Sequence, residues 1–324
     1  MIMTPAQLDR AAGVLVGQAC GDALGVPYEF AVLPDGEPEM IGGGLGPYAP
    51  GEWSDDTQMS ICIARVAATG ADLTSVAAQD SVASAFEEWL AGGASDVGVQ
   101  TGTLLRGVGR VPGPRGEILR AASRALHEET GRSAGNGALM RTAVVGLTRL
   151  LDRAATATAA RAMAELTHFD PLAGDACVLW SELVRSAVLD GPGDGTPELA
   201  LELLPPARRD QWQRWLADVI ADPTPARFPN NGYTVAALQA AYAAVVFALR
   251  GRPDTAVRAG LVAAVRAGHD TDTVAAIAGG ALGALFGRSA IPAEWRARIH
   301  GWPGLRAAEL ATLATDTATR GLSA

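Results

Sequence analysis

Two short acidic clusters, Ser54-Asp55-Asp56-Thr57 and His269-Asp270-Thr271-Asp272-Thr273, hold the most chemically suggestive residues of this chain. Each packs carboxylate and hydroxyl oxygens into about one turn just ahead of an apolar run. Donor sets made only of oxygen suit Mg²⁺, Mn²⁺ or Ca²⁺ rather than zinc. Ser54 can cap the first run, with Asp55 and Asp56 in the opening turn, where the helix dipole favours negative charge. Two adjacent aspartates exceed what capping requires. The rear cluster has the same form, with Val274-Ala275-Ala276-Ile277 following at once. Burying four unpaired carboxylates at the ends of core helices is costly, so cations should neutralise them. If the fold brings the clusters together, they make a two-metal site.

Two further segments carry candidate chemistry. In Gly17-Gln18-Ala19-Cys20-Gly21-Asp22-Ala23-Leu24-Gly25-Val26-Pro27-Tyr28-Glu29-Phe30, closely spaced glycines end a helix, allow close backbone approach and leave Glu29 among Pro27, Tyr28 and Phe30. Partial desolvation there raises a carboxyl pKa toward the range useful for proton transfer; the plainer alternative is a helix stop with a solvated glutamate. Ser133-Ala134-Gly135-Asn136-Gly137-Ala138-Leu139-Met140-Arg141 reads as a small-residue loop entering a helix. Free N–H groups at such a start can hold phosphate without a cationic side chain, although Gly-Asn-Gly turns are common. His168 reads as a helix-closing histidine and His269 as an outer partner of the rear aspartates. His127 and His300 carry no pattern, and the tryptophans read as packing or surface residues.

Composition narrows the rest. With 324 residues the chain can bury a sizeable core in one large domain or two small ones. No lysine is present, so all 26 basic residues are arginine, which removes P-loop and Schiff-base lysines. A net charge of −9 argues against non-specific binding to nucleic acid or to an anionic membrane. Three distant cysteines, Cys20, Cys62 and Cys177, fit a reducing compartment. The first ten residues lack a signal-peptide pattern, and the apolar stretch 274–287 is shorter than the ~20 residues a membrane span needs. The expected location is cytoplasmic.

Apolar residues recur at three- and four-residue spacings nearly throughout, which predicts helices. Thr4 and Pro5 open one that runs to about Cys20, and similar signals open helices near Thr57, Thr74, Ala154, Pro171, Arg208, Gly232, Pro253, Asp272 and Pro292. Residues 32–51 form a long loop, with connections at 190–197 and 222–231. No strand pattern is long enough for a sheet. Splitting the chain would leave each half with an incomplete site, so the expectation is all-α: a single compact many-helix domain, residues 1–324, with a dinuclear metal cleft.

Taken together, Gly21-Asp22-Ala23-Leu24-Gly25 with Glu29, Trp53-Ser54-Asp55-Asp56-Thr57, Ser95-Asp96-Val97-Gly98, Gly135 to Arg141, Thr167-His168 and Gly268 to Thr273 make a pattern that resembles the ADP-ribosylglycohydrolase family. The resemblance implies two Mg²⁺ or Mn²⁺ ions, with Ser54, Asp55 and Asp56 on one and Asp270, Asp272 and Thr273 on the other. Ser54 stands where many members have threonine; both offer a hydroxyl. It also implies Glu29 and Asp96 as acid/base groups in an oxocarbenium-like cleavage. Ser133, Ala134, Gly135, Asn136 and Gly137 would cradle a diphosphate, His168 would reach a phosphate or distal ribose, and Tyr233 would stack on adenine. The implied partner is an ADP-ribosylated protein or small molecule. No membrane is implied, nucleic acid enters only as an ADP-ribosylated substrate, and the chain acts as a monomer. Arginine-linked substrate is favoured. Serine-type O-linked substrate, a catalytically silent ADP-ribose-binding or crystallin-like relative, and a dinuclear phosphohydrolase stay open.

Overall fold

Helix α1 (Pro5–Gly25) begins at a capping box: Thr4 Oγ1 accepts from the Gln7 N–H, the Gln7 side chain accepts from the Thr4 N–H, and Pro5 occupies the first turn. The computed structural model describes residues 2–109, 111–193 and 200–322. After a long irregular segment come α2 (Asp55–Ala67), α3 (Val76–Ala91), α4 (Val99–Val108) and α5 (Arg115–Thr130). The middle of the chain supplies α6 (Arg153–Glu165), α7 (Pro171–Asp190) and α8 (Pro206–Ala221). The last third supplies α9 (Thr234–Arg250), α10 (Ala256–Val265), α11 (Thr271–Phe286), α12 (Ala293–Arg298) and α13 (Ala307–Gly321). The all-α expectation therefore holds. The described exception is a two-residue antiparallel pair, β1 (His300–Gly301) with β2 (Leu305–Arg306). Among the described residues no helix is long and apolar enough to cross a membrane.

One seam organises the molecule. Gly13, Gly17, Gly21 and Gly25 recur every four residues on one face of α1, and a Cβ on any of them would collide with backbone of the facing chain: Gly283, Gly279, Ala275 and Asp272 respectively. Gly279 and Gly283 return the contact from α11. Rows spaced by four residues are the ridges along which helices pack, and removing side chains from both rows lets the two backbones touch. The close backbone approach that glycines at this spacing allow is thus realised, whereas the helix expected to end near Cys20 runs on to Gly25. Each glycine costs about 1 kcal/mol of intrinsic helix propensity, and burial of the whole of α11 from Thr271 to Leu285 against its neighbours offsets that loss. The seam is also what joins front to rear, because Gly25 lies against Asp272.

Other expectations shift in smaller ways. The predicted helix openings fall within about three residues of observed starts, whereas α4, α5 and α13 were not anticipated. Gly98, Pro114 and Arg306 occupy their cap positions. The segment after Ser133 enters two 3₁₀ stretches, Asn136–Arg141 and Ala143–Leu147, rather than an α-helix. The loop at 32–51 is irregular as expected, the connection at 222–231 contains a 3₁₀ turn, Pro225–Arg227, and the one at 190–197 lies partly outside the described residues. Trp53, Trp89, Trp180 and Trp212 are fully buried, as packing residues should be.

Candidate active site

The two acidic clusters converge, and the residue that ties them is one that sequence reasoning left without a role. Asp22, inside α1, accepts the Ser54 N–H at 2.8 Å and the Ser54 hydroxyl at 2.9 Å on Oδ1. On Oδ2 it accepts the Thr57 N–H at 3.0 Å and the Thr57 hydroxyl at 2.6 Å. Ser54 occupies the N-cap position of α2 but makes no side-chain cap bond. Asp22 performs that office from a different helix, satisfying an N–H that the first turn would otherwise leave open. Ser54 Oγ also lies 3.0 Å from Asp56 Oδ2, so its hydroxyl faces the carboxylates rather than its own helix.

Oxygens of Asp22, Asp56 and Asp272 lie within 4.8 Å of one another, and so do oxygens of Glu29, Asp96 and Asp272. Asp272 is common to both groups, so the front and rear clusters share one centre. Asp270, the N-cap residue of α11, accepts the Asn136 amide at 2.7 Å, and Thr273 N–H donates to Asp272 Oδ1 at 2.9 Å. Glu29, Asp55, Asp96, Asp270, Asp272 and Thr273 all face a cavity of about 210 Å³. Ser54 and Asp56 stand behind it. A larger cavity of about 590 Å³ elsewhere has its charges already paired, Arg120 with Glu165 and Arg161 with Asp175.

Burial first, and repulsion between carboxylates second, push Asp55, Asp56 and Asp272 well above the ordinary carboxylate range. Asp22 reaches about 6 through burial, opposed by its four hydrogen bonds. Asp56 Oδ1 is buried with no hydrogen-bond partner. Such an oxygen carries a desolvation cost that a cation removes. A hard, oxygen-only donor set with an orphaned carboxylate oxygen fits a divalent ion of the Mg²⁺, Mn²⁺ or Ca²⁺ kind.

Glu29 and Asp96 form a second pairing. Glu29 is half-buried, and burial followed by the charges of Asp96, Asp270 and Asp55 raises it to about 9. Asp96 is also raised, by burial and by Asp270, while a hydrogen bond from Glu29 opposes the rise. The raised Glu29 matches the expectation of a glutamate tuned by desolvation. Burial is the larger cause, as expected, and the neighbouring acids add to it; Tyr28 turns away to the backbone of Glu39 and Phe30 is exposed. Phe30 and His269 both adopt positive φ, at 48° and 59°. The Phe30 N–H donates to the His269 carbonyl at 2.6 Å, so two strained residues fasten Glu29 beside Asp270. The exposed His269 thus acts through its backbone rather than through its ring.

The small-residue loop supplies the opposite wall. Gly135, Asn136, Gly137 and His168 line the same cavity as the acids. Asn136 is committed to structure: its side-chain amide donates to Asn231 O at 2.9 Å as well as to Asp270, and its N–H donates to Gly232 O at 3.1 Å. Ser133 is buried, with Oγ 2.8 Å from His127 Nδ1, and lines neither this cavity nor its neighbour. Ala134 and Tyr233 border a neighbouring cavity of about 490 Å³ that shares Gly135 and Gly232 with the first. His168 follows α6 rather than closing it, and burial with the nearby Arg141 charge holds its imidazole neutral, down at about 3. Gln100, which carried no sequence signal, donates to the carbonyl of Thr167 at 2.7 Å and of Ser133 at 3.3 Å, tying α4 to the loop.

Comparison with known proteins gives the family and the fold. Residues 3–322 match the family model described as ADP-ribosylglycohydrolase. The chain is 29% identical to ADP-ribosylarginine hydrolase Tri1 of Pseudomonas putida (strain GB-1), over 92% of this chain and 76% of that one. It is 29% identical to the ADP-ribosyl-dinitrogen reductase glycohydrolase of Rhodospirillum rubrum, over 91% of this chain and 92% of that one. A solved structure described as an ADP-ribosylglycohydrolase-related protein complex shares the fold with a TM-score of 0.71 at 26% identity, covering 98% of this chain and 100% of that chain. The chain belongs to the ADP-ribosylglycohydrolase family.

Proposed function

We propose that this enzyme hydrolyses the N-glycosidic bond between ADP-ribose and an arginine side chain, releasing ADP-ribose. The observation that carries the reading is the meeting of Asp55, Asp270 and Asp272 with the Glu29–Asp96 pair at one cavity that Gly135, Gly137 and His168 also line, with Asp56 behind it beside Asp272. The arginine linkage rests on the name of the relative from Pseudomonas putida, an ADP-ribosylarginine hydrolase. Ser54, Asp55 and Asp56 on one side and Asp270, Asp272 and Thr273 on the other would hold two Mg²⁺ or Mn²⁺ ions, which when bound supply positive charge that orients and polarises the ribose hydroxyls. Glu29 holds a proton at its carboxyl and gives it to the departing guanidino nitrogen. Asp96 accepts the proton of the water whose oxygen bonds to the anomeric carbon as the carbon–nitrogen bond breaks. The amides of Gly135 and Gly137 and the ring of His168 bind the diphosphate, with Ser133, Ala134 and Asn136 shaping the loop that carries them, and Tyr233 lies against the adenine.

The test is to incubate the purified chain with Mg²⁺ or Mn²⁺ and with arginine-, serine- and nucleic-acid-linked ADP-ribose, and to separate the products by chromatography. Intact ADP-ribose from the arginine adduct is expected. AMP as product would mean phosphohydrolysis instead, and binding without any release would mean a silent relative.

A further inference from the structure

Arg141 is a buried cation that the mechanism above does not use. Its side chain is 0% exposed, and its partners are a sulfur, two oxygens and a ring rather than a carboxylate. Nη1 lies 3.8 Å from Met59 Sδ, Nη2 donates to Met163 O at 3.2 Å and to Thr167 Oγ1 at 2.7 Å, and the guanidinium lies over Phe86 at 4.7 Å. Thr167 is itself fully buried, and its Oγ1 lies 2.8 Å from Nδ1 of His168. On its far side, His168 Nε2 faces the loop: a Cβ at Gly135 or Gly137 would stand 3.2 or 3.3 Å from it.

The direction of the hydrogen bonds follows from what each group can do. A guanidinium only donates, so Thr167 Oγ1 accepts from it. The hydroxyl then has one proton, and His168 Nδ1 is the nitrogen in reach. If Nδ1 carried the imidazole proton instead, the hydroxyl proton would be buried without an acceptor, which folded chains avoid. We infer that Arg141 is a positioning residue that acts through Thr167 to lock His168 as the Nε2–H tautomer, presenting one fixed donor to an anionic oxygen at the Gly135–Gly137 wall. A free imidazole would offer a lone pair there part of the time and repel the same oxygen. Burial of Arg141 also lends the wall positive potential without exposing a cation to the acidic cluster, from which it would otherwise draw an ion pair. The inference rests on the proposed diphosphate position for its purpose, but the tautomer itself can be read without substrate.

The experiment uses the full chain labelled with ¹⁵N-histidine. Long-range proton–nitrogen correlation spectra distinguish the tautomers of the four histidines, with His168 assigned by comparison with His168→Gln. The wild type should show a protonated Nε2 and a bare, hydrogen-bonded Nδ1 at His168. Thr167→Val should lose that signature and Thr167→Ser should restore it. Calorimetry with ADP-ribose should show binding about tenfold weaker in Thr167→Val, the loss of one hydrogen bond to a charged oxygen, and recovered in Thr167→Ser. A wild-type His168 protonated at Nδ1, or a Thr167→Val spectrum identical to wild type, would overturn the inference, as would unchanged ADP-ribose affinity in Thr167→Val. If Arg141→Met fails to fold, the Thr167 pair decides the matter. Absence of ADP-ribose release by the wild type would count against the proposed activity while leaving the tautomer result intact.

Discussion

At the scale of single residues the site is a concentration of acid that the fold tolerates only with help. Asp56 has an oxygen with no partner and carboxylates on every side. Replacing it with asparagine should leave the metal-free protein as stable as wild type or more so, because a repelled charge is gone. The same change should abolish the rise in melting temperature on adding Mn²⁺ and reduce turnover by about two orders of magnitude or more. Thermal melts with and without Mn²⁺ check the first two effects, and a destabilised apo variant would contradict the charge argument. Asp22 differs, since its four accepted hydrogen bonds hold the start of α2. Asp22→Ala should cost about 3 kcal/mol or more by leaving buried donors open, measured by urea unfolding. The pH dependence has a definite sign. Glu29 is raised from 4.5 to about 9 and Asp22 from 3.8 to about 6, so the folded chain binds protons that the unfolded chain has released. Metal-free protein should therefore be most stable near pH 4 and lose stability as pH climbs through about 6 toward about 9. Saturating Mg²⁺ should flatten that decline; a melting temperature that holds steady or rises with pH without metal would contradict it.

At the scale of elements, function depends on how closely α1 approaches α11. Gly21→Ala places a methyl on the carbonyl of Ala275, which should destabilise by about 1–3 kcal/mol and weaken metal binding, since Asp22 and Asp272 ride on the two helices. Gly107→Ala, in an exposed part of α4 with nothing nearby, should be stabilising by about 0.5–1 kcal/mol with activity unchanged. Equal effects of the two substitutions would mean that the seam is not what positions the acids. The difference also explains what was legible in advance. Ser54 to Thr57 and Asp270 to Thr273 stand out because carboxylates beside a helix start are a local pattern, and the same holds for Glu29 and for the Gly-rich loop. The glycines of α1 carry two meanings, helix stop and close approach, and only the facing helix selects between them. Asp22 reads as one more polar residue within a helix until α2 is docked onto it. The starts of α4 and α13 passed unmarked because no Ser, Thr, Asp or Asn occupies their cap positions. His127 showed no pattern because its partner, Ser133, is set by a turn of chain after α5.

At the scale of the whole molecule, the proposed function asks a chain of net charge −9 with no lysine to take up a ligand bearing a diphosphate. Long-range repulsion should slow encounter, so kcat/KM for an anionic substrate should rise as NaCl is taken from about 20 to 150 mM, where the Debye length falls to about 8 Å. A steep fall over the same range would point to a cationic entrance that the charge distribution does not suggest. Residues more than two hundred positions apart supply one acidic centre, with Asp22 and Asp56 from the front of the chain and Asp272 from the rear. The central claim is that Asp55, Asp56, Asp270 and Asp272, with Asp22 holding the start of α2 beside them, jointly hold a pair of divalent ions. Titrating the metal-free protein with Mn²⁺ while following the electron paramagnetic resonance signal of the free ion tests it most directly. Two ions bound per wild-type chain are predicted, with binding lost in both Asp56→Asn and Asp272→Asn; no binding tighter than millimolar, or full binding by either variant, would contradict the account.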